Sequence, residues 1–359
     1  MTKRSLSSII VLLFVLCLIV SGCGKSSSKS KKKEKEKEKE SGAIDITIQD
    51  EECYAIITKG SGNAYNDHII EGFKAIIGDA GKQTFVYQPE KGTAKEQIQV
   101  VKELIENKVS CIAIAPVDAD ALDSVLQDAI DADIPVISFD TPANPDSRLL
   151  DVNESGTEEI AETLIEAVRD VSGGQGYWAI VSSFSTSANQ NAWIAAMREL
   201  SEDEKYKGLG LVEIAYGDDD YHKSYDQTIS LLKKYPDLKV ICAPTTIGIQ
   251  AAAAAVKDTG KPVKVVGLGL PSEMAEYVSK GDICPYIYMW NPNYLGQMTA
   301  YVSMAFGNRK ITGEEGEQLL VDNNQIYEVR KASDEGTEVV VGNPFRFDKS
   351  NIDEWKSVY

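Results

Sequence analysis

The sequence predicts an α/β fold of two doubly wound, Rossmann-like lobes joined by a multi-strand hinge. Short β-rich apolar runs alternate with amphipathic helical stretches along residues 43–359, the pattern of a parallel sheet covered by helices on both faces. The alternation runs through twice. The stretch is also long enough for two domains of roughly 100 to 200 residues each.

In the first half the expected strands are Tyr54–Thr58, Thr84–Tyr87, Cys111–Ala115 and Pro135–Phe139. Between them, Lys95–Lys108 places Ile98, Val101, Leu104 and Ile105 on one helical face, and Asp118–Ala132 does the same with Leu122, Val125, Leu126 and Ile130. The second half offers Leu149–Val152, Tyr177–Ser182, Leu209–Ala215, Val240–Ala243 and Val263–Leu268. Asp140-Thr141-Pro142 reads as a crossover, because proline fixes the chain and removes a donor. A second crossover is expected near Trp290, where the helix Asn291–Phe306 follows Pro285–Met289. The expected lobes are therefore 43–141 with 290–317, and 142–289 with 318–359. Lobes on such a hinge close around a ligand between them.

Ahead of this body, Lys3 and Arg4 precede an apolar run from Ile9 to Val20 and then Val20-Ser21-Gly22-Cys23. Residues 1–22 resemble a bacterial lipoprotein signal with its lipobox, which implies cleavage before Cys23 and a lipid on that cysteine. A run of about 12 to 14 apolar residues is too short for the roughly 20 that span a bilayer. Residues 24–42, GKSSSKSKKKEKEKEKESG, have no apolar side chain to bury and are expected to be a disordered tether spanning roughly 25 Å.

The whole chain carries a net charge of −18; without the signal and tether charges, 27 basic and 51 acidic residues remain, a net of −24. Such a body repels nucleic acid and anionic lipid. Cys53, Cys111, Cys242 and Cys284 sit in apolar strand-like runs without CxxC spacing and read as buried small hydrophobes, although the compartment would permit a bridge. Neither His68 nor His222 has a second His or a Cys at ligand spacing, so no metal and no cofactor are expected.

The strings VISFDTP, TSANQNAW, KKYPDLKVICAPTT and VKVVGLGLPSEMAEYVSKG resemble type I periplasmic sugar-binding proteins, over essentially the whole chain from Tyr54. SANQNAW, YPDLKVICAP and the final FDKSNIDEW are most similar to the autoinducer-2 receptors and the related rhamnose-binding proteins, which are solute receptors of ABC importers. In those receptors the ligand meets a lysine after the first strand, an aspartate ending the fourth, an Asp-Gln pair opening a helix, and a Pro-x-Ala turn. The matching positions are Lys59, Asp140, Asn189 with Gln190, and Pro244 with Thr246. Asn189 and Thr246 depart from the pattern. Asn189 brings donors that an aspartate lacks, and Thr246 adds a hydroxyl and bulk where the family has a methyl.

The residues themselves point to the same place, since ligands of open α/β sheets bind beyond the carboxyl ends of the strands. Asp140 can accept from two hydroxyls, and Lys59 can donate to ligand oxygens or simply form an ion pair with Asp140. Asn189 and Thr246 could instead cap helices, Pro244 could merely end a strand, and Gln190 has no evident structural duty. Tyr65 and Trp290 could stack on a sugar ring or serve as core.

An enzyme is the rival class. Gly60-Ser61-Gly62 follows the first strand, but Tyr65 stands where the third glycine of GxGxxG belongs, and GxxxxGK[ST] and GxSxG are missing. The expected protein is a monomeric, lipid-anchored extracytoplasmic receptor that breaks no bond. It would bind autoinducer-2 or, alternatively, rhamnose, ribose or a similar monosaccharide, and present the closed form to an ABC permease.

Overall fold

The computed structural model describes residues 52–321 and 325–359; the expected signal segment, Cys23 and the Lys/Glu tether lie outside them. The chain opens with β1 (Cys53–Ile57), α1 (Ala64–Asp79), β2 (Gln83–Tyr87), α2 (Ala94–Glu106), β3 (Cys111–Ile114), α3 (Ala119–Asp131), β4 (Val136–Phe139), a 3-10 turn at Pro145–Ser147 and β5 (Leu150–Asn153). There follow α4 (Thr157–Ser172), β6 (Gly176–Ser182), α5 (Ala188–Leu200), β7 (Leu209–Tyr216), α6 (Tyr221–Lys234), β8 (Leu238–Ala243), α7 (Thr246–Thr259), β9 (Lys264–Gly267), α8 (Pro271–Lys280) and β10 (Tyr286–Met289). The remainder is α9 (Pro292–Gly307), β11 (Gln318–Leu320), β12 (Ile326–Glu328), β13 (Arg330–Lys331), β14 (Thr337–Val340), β15 (Phe345–Asp348) and α10 (Ile352–Trp355).

Two main sheets result. The first lobe holds a seven-stranded sheet of order β13-β14-β5-β4-β3-β1-β2, parallel except at β13. Its central strands β1, β3 and β4 are buried along their whole length, which is why they read as unbroken apolar runs rather than alternating ones. The second lobe holds the parallel sheet β7-β6-β8-β9. A parallel bridge from Leu268 to Tyr288 brings β10 alongside it, and β15 pairs antiparallel with β10.

Local chemistry sets the helix ends. Thr93 and Glu96 form a capping box at α2, and Asp118 and Asp220 cap α3 and α6. Gly173, Gly260 and Gly281 close α4, α7 and α8 in the left-handed conformation, where the lack of a Cβ avoids the clash other residues meet. The four body cysteines are buried and unbridged, and burial pushes the thiol of Cys53 up to about 11 and those of Cys111, Cys242 and Cys284 to about 12.

The lobe boundaries differ from the sequence expectation in two places. β5 pairs in parallel with β4 and β14 in the first sheet, although the proline after Asp140 was read as the crossover. Pro142 ends a strand without moving the chain to the other sheet, and the passage comes later, at Glu154–Gly156, after which α4 packs on α5, β8 and β9. Likewise β13 and β14 join the first sheet, and only β15 and α10 return to the second lobe. A strand such as β14 owes its place to pairing with the distant β5, and no local pattern encodes that. The chain therefore passes between lobes after β5, after β10 and after β14. On the second passage α9 packs along α1 of the first lobe.

Candidate functional site

The carboxyl ends of β1, β4, β6, β7, β8 and β10 lead into loops that converge on one cavity between the lobes, about 40 Å³ in volume. Lys59, Tyr65, Asp140, Asn189, Gln190, Pro244, Thr246 and Trp290 all line it. The eight positions singled out from sequence are thus brought together.

At its centre Lys59 Nζ lies 2.7 Å from Asp140 Oδ2, with the two side chains only 9% and 7% exposed. The same ammonium donates to Thr141 Oγ1 at 2.8 Å, and that hydroxyl donates to Asp140 Oδ2 at 3.2 Å. Tyr65 OH donates to Asp140 Oδ1 at 3.0 Å and accepts from Trp290 Nε1 at 2.8 Å. Three donors thus hold Asp140, whose two oxygens offer about four lone-pair sites. One acceptor site remains for a ligand hydroxyl.

The backbone aims this carboxylate by an unusual route. Asp140 has φ 61, and Thr141 N–H donates to Phe139 O at 2.6 Å, which closes a γ-turn around it. Such a conformation costs about 1–3 kcal/mol in a non-glycine residue. The surrounding hydrogen bonds hold it in place.

One ammonium faces several carboxyl groups here. Burial works to lower the Lys59 pKa, but Asp140 and then Asp219 and Glu154 outweigh it and raise it, so Lys59 stays charged. Asp219 is pushed up by burial, against the pull of Lys59 and a 2.7 Å hydrogen bond from Thr245 Oγ1. Glu154 is fully buried in the first interlobe passage, and neither of its carboxyl oxygens has a hydrogen-bond partner among the described residues. Burial first, then the charge of Asp140, pushes it well above its ordinary range. The site supports one ion pair, Lys59 with Asp140, and holds the other acids toward neutrality.

Across the cleft, α5 presents Asn189 and Gln190. Asn189 Nδ2 donates to the main-chain carbonyl of Asp140 at 3.0 Å, and its Oδ1 accepts from Gln190 N–H at 2.8 Å. One of the two N–H donors that distinguish Asn189 from an aspartate is therefore engaged by the opposite lobe. Gln190 has the structural duty that the sequence did not reveal: its Oε1 accepts from Ser182 Oγ at 2.6 Å and from Ser183 N–H at 2.9 Å, which leaves its Nε2 donors for the cavity. Thr246 Oγ1 donates to Asn63 Oδ1 at 3.2 Å, and Thr186 Oγ1 to Val117 O at 2.7 Å. These contacts, with that of Asn189, latch the two lobes. Trp290 stands edge-on to Tyr65 and to Trp193, with ring centroids 6.1 and 6.2 Å away, and the three rings form the apolar wall.

Sequence reasoning missed Asn63, Asn66, Trp193, Asp219 and Thr245, which also line the cavity. Two of these were within reach. Trp193 is four residues after Asn189 and so on the same helical face, and Asp219 follows the end of β7, where the strand-end rule points. Asn63 caps α1 by accepting from Tyr65 N–H at 3.0 Å.

Comparison with known proteins identifies relatives of the chain. A crystal structure of an ABC transporter solute-binding protein from Clostridium phytofermentas with bound L-rhamnose is 44% identical, with a TM-score of 0.84 over 87% of this chain and 100% of the other. The LsrB protein of Clostridium saccharobutylicum, solved in complex with AI-2, shares the fold at 20% identity, with a TM-score of 0.78 over 84% of this chain and 99% of that one. The D-ribose/D-allose-binding protein of Pseudomonas aeruginosa is 28% identical over 182 residues, 48% of this chain, and the chain spans about half the length, 55%, of that relative. The family described as periplasmic binding protein domain matches residues 54–310, and with two parallel-sheet lobes enclosing a polar cavity at their strand ends, the chain belongs to that family.

Proposed function

We propose that this protein is an extracytoplasmic solute receptor of an ABC importer that closes on one small sugar, with L-rhamnose as its ligand. The observation that carries the reading is the buried Lys59–Asp140 pair set opposite Asn189 and Gln190 and beside the Tyr65, Trp193 and Trp290 rings. A pyranose offers hydroxyls to the first group and an apolar face to the second. Rhamnose is favoured over autoinducer-2, the first expectation from sequence, because the relative carrying rhamnose is 44% identical, whereas the one carrying AI-2 shares the fold at 20%.

The ligand touches both lobes and so favours the closed state over the open one. No bond of the ligand is broken. The closed form is the one a permease partner recognises, the protein acts as a monomer, and a lipid on Cys23 tethers it to the membrane. Isothermal titration of the purified protein with L-rhamnose, D-ribose and autoinducer-2 tests the ligand. Tight binding of L-rhamnose alone is the expected result; preference for autoinducer-2 or D-ribose would overturn it. Loss of radiolabelled palmitate incorporation in Cys23→Ala tests the anchor.

A further inference from the structure

Asn63, Asn66 and Asp219 line the sugar cavity. These three residues also line a second, outer chamber of about 260 Å³, again walled by both lobes. Phe184 of the second lobe reaches across to Gly92 of the first, where an added Cβ would come 3.1 Å from its Cζ. Gly92 has φ 57, so bare backbone meets the ring and leaves Phe184 as the aromatic surface of this chamber.

Three of the acidic side chains around that ring each hold one partner. Asp218 pairs with Lys223, Asp220 accepts from Lys223 N–H at 2.7 Å, and Asp219 accepts from Thr245. Lys91 stands in the wall beside Glu90. A neutral polyhydroxylated ring finds here carboxyl and amide acceptors with lone pairs to spare and an aromatic face.

We propose that the outer chamber is a second sugar subsite, and that the protein takes disaccharides whose terminal rhamnose occupies the inner cavity and whose second ring lies against Phe184. This rests on the monosaccharide reading of the inner cavity. The test is titration calorimetry of the full chain with L-rhamnose and with two α-L-rhamnosyl-D-glucose disaccharides of different linkage, rutinose and neohesperidose. At least one disaccharide is expected to bind about tenfold more tightly than L-rhamnose. Phe184→Ala, which removes the ring, and Ile247→Trp, which adds bulk at another lining position of the chamber, should each bring the ratio of the two affinities toward one. Rhamnose binding with no gain for either disaccharide, or a gain that survives both substitutions, would overturn the second subsite and leave the monosaccharide reading standing. Failure of all three sugars to bind would overturn both.

Discussion

Asn189 Nδ2 donates a 3.0 Å hydrogen bond to the main-chain carbonyl of Asp140, joining the second lobe to the residue that anchors the site in the first. The bond exists only when the lobes are together. Asn189→Asp removes the donor and sets a buried carboxylate against that carbonyl, a change worth about 1–3 kcal/mol for an unsatisfied buried polar group. L-rhamnose affinity should fall by roughly 5- to 150-fold, and titration calorimetry would show it. Unchanged affinity would mean that the contact has no share in closure.

The ion pair behaves differently according to which partner is removed. Asp140→Asn keeps a side chain that tolerates positive φ, retains an acceptor for Tyr65 and leaves Asp219 and Glu154 to act on Lys59, so it should fold and lose about 2 kcal/mol of ligand binding. Lys59→Met instead leaves Asp140 buried without its counter-charge and with Asp219 and Glu154 close enough to act on it. Breaking a buried pair in this way costs about 3–5 kcal/mol. Chemical denaturation should therefore separate the two variants, with Lys59→Met much the less stable.

How far the sequence carried can be seen from these same residues. Lys59, Asp140 and Pro244 were legible because strand ends are legible, and in an open α/β sheet the carboxyl ends are where ligands bind. The buried cysteines and central strands were legible from composition. What Asn189 and Gln190 bind was not, because their partners, the Asp140 carbonyl 49 residues away and Ser182 and Ser183 at the end of β6, are set by tertiary approach. The membership of β5 and β14 in the first sheet escaped for the same reason. A strand carries its own propensity in its sequence and shares the choice of neighbour with the rest of the fold.

Glu154 should make stability fall as pH rises. Its carboxyl has no hydrogen-bond partner among the described residues, and burial raises its pKa well above the ordinary value of 4.5. Above about pH 4.5 the unfolded chain releases this proton while the folded chain keeps it, so the folded state binds more protons and loses stability as pH increases. The loss continues until the folded-state pKa is passed. Asp151, pushed up to about 6 chiefly by burial, adds a loss of the same sign between its ordinary range and about pH 6. Glu154→Gln removes the first contribution alone. The Tm of Glu154→Gln relative to the parent should rise steadily from pH 4.5 to pH 7; a constant difference would show that Glu154 does not hold a proton in the folded state.

The distance between α1 and α9 fixes where Tyr65 and Trp290 stand, and two glycines set it. A Cβ on Gly72 would lie 2.0 Å from Asn293 O, and one on Gly296 would lie 1.9 Å from Ile69 O. Both clashes are with backbone, so the helices must separate to admit even a methyl group. Gly296→Ala should cost about 1–3 kcal/mol through overpacking and should also weaken ligand binding, because the 2.8 Å bond from Trp290 Nε1 to Tyr65 OH spans the same helix pair near their amino-terminal ends. Gly78, also in α1, is exposed and has nothing within 4 Å of an added Cβ. Gly78→Ala should instead stabilise the protein by about 0.4–1 kcal/mol, through the lower entropy of its unfolded chain, with ligand affinity unchanged. Opposite signs for these two substitutions, measured by chemical denaturation, would separate the demand for close helix approach from the general cost of glycine in a helix; a shared sign would refute the assignment of Gly296 as the contact point.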